Sequence, residues 1–214
     1  MNLQAARGWP SWWKTWSGGM LNGGERQVAP TIAGIRRDHV ARYEFAATQL
    51  RPRSRVLDLA CGVGYGSAIL AEAHHNVTGI DQSAAAINYA IQHYWRPGAL
   101  FMTQRAEDLD MQGRYDVAVS FETVEHIEYP LPVLRKLRTM ADKLIVSVPN
   151  EAEFPHTTNR FHFRHYTKDD LDTLLADAGW SVEGWFGQAG PHSDVTRGAR
   201  GRTIIAIANH EVKE

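Results

Sequence analysis

The sequence predicts an α/β protein of the doubly wound type, a mainly parallel sheet with helices on both faces. Three observations carry this. Short apolar runs alternate with stretches of helical spacing through the middle of the chain. The first of those runs leads straight into Gly62 and Gly64 and then a helix. The last two runs are joined by a Gly- and Arg-bearing loop without room for a crossover helix, so they should pair antiparallel.

Taken in order, Ile35, His39, Val40, Tyr43, Ala46, Ala47 and Leu50 have helical spacing across 32–50, and Pro52 closes that helix. Residues 55–60, 76–81, 99–104, 115–121 and 143–149 read as buried strands. Between them, 66–74, 83–95 and 131–141 read as helices. A further helix over 167–178 has Thr167 as its N-cap and Gly179 just past its end. Residues 180–188 and 202–209 are the closing strands, which makes a sheet of seven. No internal repeat or low-complexity tract interrupts the pattern.

Residues 1–30 differ from the rest, holding Trp9, Trp12, Trp13 and Trp16 and then Gly18, Gly19, Gly23 and Gly24 without a sustained period. They are read as an arm that docks on the domain's own surface, with a lid or substrate platform as the alternative; 31–214 form the domain. Hydrophobic residues at 43% and charged residues at 22% of 214 allow a real core. The net charge of −1 excludes a general phosphate-backbone binder. The lone Cys61 excludes a disulfide framework or a Cys-rich zinc site. No apolar run approaches the ~20 residues of a membrane span, and no signal sequence opens the chain, so a soluble, cytoplasmic protein is expected.

The stretch Val56-Leu57-Asp58-Leu59-Ala60-Cys61-Gly62-Val63-Gly64 is the most informative. Gly62 and Gly64 permit positive φ and remove side chains that would keep a ligand from the backbone. Asp58 stands four residues before the glycines, where a carboxylate can meet an amino-bearing ligand. Asp81 ends the next strand, where its two oxygens can take both hydroxyls of a ribose. In these two motifs, over roughly residues 35–210, the chain resembles the class I S-adenosylmethionine (SAM)-dependent methyltransferases. The resemblance implies their Rossmann-like fold and SAM as cofactor, with Gly62 and Gly64 beside its methionine part and Asp81 on its ribose. It also implies backbone contacts to adenine around Ala106. Arg105 stands where many members carry an acid, a departure from the pattern.

At the other end of the site, the fourth strand runs into Glu122-Thr123-Val124-Glu125-His126. If this segment is helical, Glu122, Glu125 and His126 project from one face. Two carboxylates and an imidazole side by side call for a positive charge between them, which a divalent metal supplies. The Glu-x-x-Glu-His segment resembles two methyltransferase groups, one acting on the terminal ribose 2′-hydroxyl of small RNAs and one on catechol-like hydroxyls in ubiquinone biosynthesis. In the RNA group a later histidine is the fourth ligand, a position that His162 matches in His162-Phe163-Arg164-His165-Tyr166-Thr167. The resemblance thus implies a metal on Glu122, Glu125, His126 and His162, with Mg²⁺, Mn²⁺, Fe²⁺, Co²⁺ and Zn²⁺ all suited to the mixed donors.

Transfer of methyl from SAM to a hydroxyl oxygen is therefore expected, with Glu122 and His126 as the activating groups. Two alternatives stay open: metal-free chemistry with His126 as general base, or a SAM-binding subunit without catalysis. The acceptor is left as a small molecule, a glycan or a nucleotide end, since no nucleic-acid module is recognisable.

Overall fold

The five parallel strands come first in the chain and the antiparallel ones last, and together they make one sheet in the order β3-β2-β1-β4-β5-β8-β6-β7. The computed structural model describes residues 26–110, 113–157 and 159–210. The tryptophans and glycines of the expected arm lie outside the described residues, as do 211–214. The strands are β1 (Arg55–Leu59), β2 (Asn76–Asp81), β3 (Ala99–Thr103), β4 (Tyr115–Phe121), β5 (Ala141–Pro149), β6 (Trp180–Gln188), β7 (Thr196–Arg197) and β8 (Thr203–His210). The helices are α1 (Arg37–Thr48), α2 (Tyr65–Glu72), α3 (Ala84–Tyr94), α4 (Pro130–Met140) and α5 (Lys168–Asp177).

Among the described residues the sheet has eight strands, not the expected seven. The extra one, β7, pairs Thr196 and Arg197 with Gly187 and Phe186. Two exposed residues inside a Gly- and Arg-rich loop are too few to display an alternating pattern. β8 pairs antiparallel with both β5 and β6, as expected of the closing pair.

Alternation along the strands sends side chains to two cores. Val56, Val77, Val117 and Val119 meet Tyr43 and Ala46 of α1, Leu70 of α2 and Ile87 of α3 on one face. Leu57, Leu59, Ala118 and Leu144 meet Leu134 and Leu137 of α4 and Leu171 and Leu175 of α5 on the other. Thr167 caps α5 in a reciprocal box: its hydroxyl accepts from Asp170 N at 3.2 Å, and the Asp170 carboxylate accepts from Thr167 N at 3.0 Å. Gly179 follows the helix at φ 82°. The expected helix over 32–50 is instead a 3₁₀ turn, Ile32–Gly34, and then α1, because Ile35 is extended at φ −88°, ψ 140°.

Strand order reverses between β1 and β4, whose neighbours lie on opposite sides. Open α/β sheets leave a crevice outside the carboxyl ends of the strands at such a point. The loop after β1 and the segment after β4 both open there.

Candidate active site

The loop after β1 is forced into a tight turn by three left-handed residues at alternate positions, Ala60 at φ 58°, Gly62 at φ 58° and Gly64 at φ 88°. A Cβ on Gly62 would meet nothing within 4 Å, which is the open face a ligand needs. Gly64 has no such space: a Cβ there would lie 2.6 Å from Ala90 Cβ and 2.8 Å from the Phe101 ring. The turn, Asp81 and Ala106 line one cavity of about 310 Å³. Asp81 Oδ1 accepts from Ser83 N at 2.8 Å and from Arg26 Nη2 at 2.9 Å, while Oδ2 accepts from Gly62 N at 3.0 Å. Arg105 turns outward to Glu107 at 3.1 Å and Asp108 at 3.6 Å and takes no part in the cavity.

Asp58 lies behind that wall. It is fully buried, and its oxygens accept from Tyr43 Oη at 3.0 Å and Ser67 Oγ at 2.6 Å. Burial pushes its pKa up to about 7 against the opposing effect of those two hydroxyls. The carboxylate therefore ties α1 and α2 to β1 beneath the turn.

After β4 the chain does not continue into a helix. Glu122 takes a left-handed φ of 49°, and only Val124–His126 forms a 3₁₀ turn. That break in phase separates Glu122 from the other two residues of its motif. Its carboxylate accepts from Ser147 Oγ at 2.9 Å and lies 3.9 Å from Arg42. Glu125, fully buried, instead joins His126 and His162, with one ligand atom from each lying within 4.8 Å of the others. The long loop is pinned to the turn by backbone: Phe163 N donates to Glu125 O at 2.8 Å. Glu122, Glu125, His126 and His162 line a second cavity of about 330 Å³, and Glu122 and His126 line the first as well.

The ring nitrogens carry further information. His126 Nδ1 lies 3.0 Å from Phe161 O, and a carbonyl can only accept, so Nδ1 holds the proton. The nitrogen left for a cation or a substrate proton is Nε2. His162 Nδ1 lies 2.8 Å from His165 Nε2, and His165 Nδ1 lies 2.7 Å from Phe154 O.

Two side chains on α1 join the site without having been singled out in the sequence. Arg42 is 1% exposed on the wall of the first cavity; its Nη1 donates to Gln188 Oε1 at 2.9 Å, while Nε and Nη2 have no hydrogen-bond partner among the described residues. His39 lines both cavities, and burial, reinforced by the Arg42 guanidinium, lowers its pKa to about 3, so it is neutral at physiological pH. The sequence signal was a charged residue three positions from His39 in an otherwise apolar stripe, a pattern that surface helices also show.

Comparison with known proteins bears on the family and the fold. A protein of Mycobacterium tuberculosis named a probable S-adenosylmethionine-dependent methyltransferase is 29% identical over 150 residues, covering 65% of this chain and 54% of that protein. The ubiquinone biosynthesis O-methyltransferase of Pseudomonas aeruginosa is 36% identical over 87 residues, 38% of this chain and 37% of that one. The chain thus spans about half the length, or less, of these curated relatives. Among solved structures, magnesium protoporphyrin IX methyltransferase of Synechocystis, with bound S-adenosylhomocysteine (SAH), shares the fold at a TM-score of 0.63 and 23% identity, over 88% of this chain and 90% of that one. A SAM-dependent methyltransferase of Methanosarcina mazei does so at a TM-score of 0.64 and 18% identity, over 78% of this chain and 96% of that one. The family described as a methyltransferase domain matches residues 33–183, so the chain belongs to the class I SAM-dependent methyltransferases.

Proposed function

We propose that this protein transfers the methyl group of SAM to a hydroxyl oxygen of its acceptor, assisted by a divalent cation. The observation that carries the reading is the cluster of Glu125, His126 and His162 on a cavity that shares Glu122 and His126 with the cofactor cavity. One carboxylate and two imidazoles are a donor set for a divalent transition metal. Glu122 would join them by exchanging the Ser147 hydroxyl for the ion. Bound there, a cation lowers the pKa of a hydroxyl. The SAM sulfonium supplies the electrophilic methyl.

The chain's own residues do the holding. Asp81 takes the ribose hydroxyls, the open face of Gly62 admits the methionine part, and the backbone at Ala106 borders the adenine. Arg42, a buried cation on the wall of the first cavity, takes the methionine carboxylate. His126, proton fixed on Nδ1, has Nε2 as the atom that would hold the cation. The same tautomer favours a second reading, in which His126 alone removes the acceptor proton and no metal takes part.

Calorimetric titration of Mn²⁺ into SAH-loaded protein separates the two. One-to-one binding that vanishes in a Glu125→Ala, His162→Ala variant is expected. Absence of binding, with methyl transfer intact, would discard the metal and leave His126 as the base.

A further inference from the structure

His165 stands three residues after His162 in the sequence. The structure gives it a definite place. It is 8% exposed, at the junction of two segments laced by backbone bonds: Glu151 N donates to Tyr166 O at 2.9 Å, and Tyr166 N to Pro149 O at 3.2 Å. Phe154 lies against its ring at a centroid separation of 5.3 Å, and Arg202 covers Phe154 at 3.9 Å. The ring also packs against His156 at a centroid separation of 5.1 Å.

Its hydrogen bonds run in one direction only. Phe154 O, a carbonyl, cannot donate, so His165 Nδ1 carries a proton at 2.7 Å from it. Glu151 Oε2, 3.8 Å from the same nitrogen, is also an acceptor and favours the same placement. In the neutral ring His165 Nε2 is then a lone pair. The partner 2.8 Å away, His162 Nδ1, must donate to it. A neutral His162 with its proton on Nδ1 presents its lone pair at Nε2. Free histidine favours the opposite form, so this tautomer needs an acceptor behind the ring. Outer partners of this kind orient a ligating imidazole and raise its basicity, and their loss typically costs 10–100-fold in metal affinity.

We propose that His165 is a positioning residue: an imidazole backstop, anchored on the Phe154 carbonyl, that holds His162 as the Nδ1–H tautomer with Nε2 as its donor atom. The value of that donor atom to a metal rests on the reading under Proposed function, but the tautomer does not.

The test uses the full chain, labelled with ¹⁵N-histidine and held metal-free at a pH where the rings are neutral. Long-range ¹H–¹⁵N correlation should find the His162 proton on Nδ1. In His165→Leu the proton should move to Nε2, and Mn²⁺ affinity measured by calorimetry should fall about 10–100-fold. His165→Gln, whose amide oxygen can stand near the lost Nε2, should keep Mn²⁺ affinity close to that of the wild type. A wild-type His162 protonated on Nε2 would overturn the proposal. So would His165→Leu with tautomer and affinity unchanged, or a Gln variant as weak as the Leu variant. Should the Leu variant not fold, the wild-type tautomer and the Gln variant decide. A wild type with the Nδ1 proton that takes up no Mn²⁺ sustains the role of His165 and counts against the metal reading alone.

Discussion

Asp81 offers two oxygens with about four lone-pair sites, and three of them are taken. Ser83 N and Arg26 share Oδ1, and Gly62 N holds Oδ2. A ribose diol needs two sites, so it must displace Arg26, whose backbone lies 55 residues earlier in the chain. Removing Arg26 should therefore tighten cofactor binding. The ion pair joins a side chain 31% exposed to one 4% exposed. Discounted for solvent screening, such a pair contributes about 0.5–1 kcal/mol. Arg26→Ala should then lower the SAH Kd by a factor of about 2–5. The assay is calorimetry of SAH into each protein at low and at high salt. Salt weakens the partly exposed pair, so the wild type should approach the variant as ionic strength rises. A Kd that rises in Arg26→Ala would refute the reasoning, since Arg26 would then be a cofactor contact rather than its competitor. A salt-independent gap between the two proteins would refute the electrostatic part.

Three further outcomes follow from the same geometry. Arg42→Met should weaken SAH by about 10–150-fold, the equivalent of a charge-assisted hydrogen bond of about 1.5–3 kcal/mol, yet leave 5′-methylthioadenosine, which lacks the carboxylate, unaffected. Equal losses for both ligands would move Arg42 out of the proposed contact. Gly64→Ala combines a positive φ with overlap against Ala90 and Phe101, and should cost about 2–4 kcal/mol in urea unfolding; a variant as stable as wild type would contradict the close approach. Asp58, raised to about 7 in the fold from an ordinary value of about 4, binds its proton more tightly folded than unfolded. The contribution of Asp58 to stability should thus fall as pH rises from about 4 to 7. In the wild type His39 opposes it, since its lowered pKa adds stability over much of the same range. The stability of Asp58→Asn relative to wild type should rise across that window. Parallel pH profiles would place the perturbation elsewhere.

Much of the fold was legible because its signals are local. Apolar runs separated by helical spacing, Thr167 before α5 and Gly179 after it, and a strand leading into Gly62 and Gly64 each lie within a few residues of one another. The exceptions are local features too short or too irregular to carry a period. β7 has two residues, and Ile35 breaks an otherwise helical stripe by being extended. The spacing of Glu122, Glu125 and His126 illustrates the limit best. It describes one face of a helix, but a left-handed Glu122 at the end of β4 turns that carboxylate toward Ser147 and Arg42 while Glu125 and His126 face His162.

The sequence by itself determined the class of fold, the strand ends that form the cleft, and the acids and glycines that mark them. Periodicity, capping and turn chemistry are properties of neighbouring residues, so they are written in order along the chain. Only the tertiary structure decided which groups share a proton or a carboxylate. Arg26 on Asp81, Arg42 beside Glu122 and His165 behind His162 with its anchor at Phe154 are all set by how the segments pack. A hydrogen bond has force over about 3 Å, and which atoms come that close is a property of the folded chain rather than of its order.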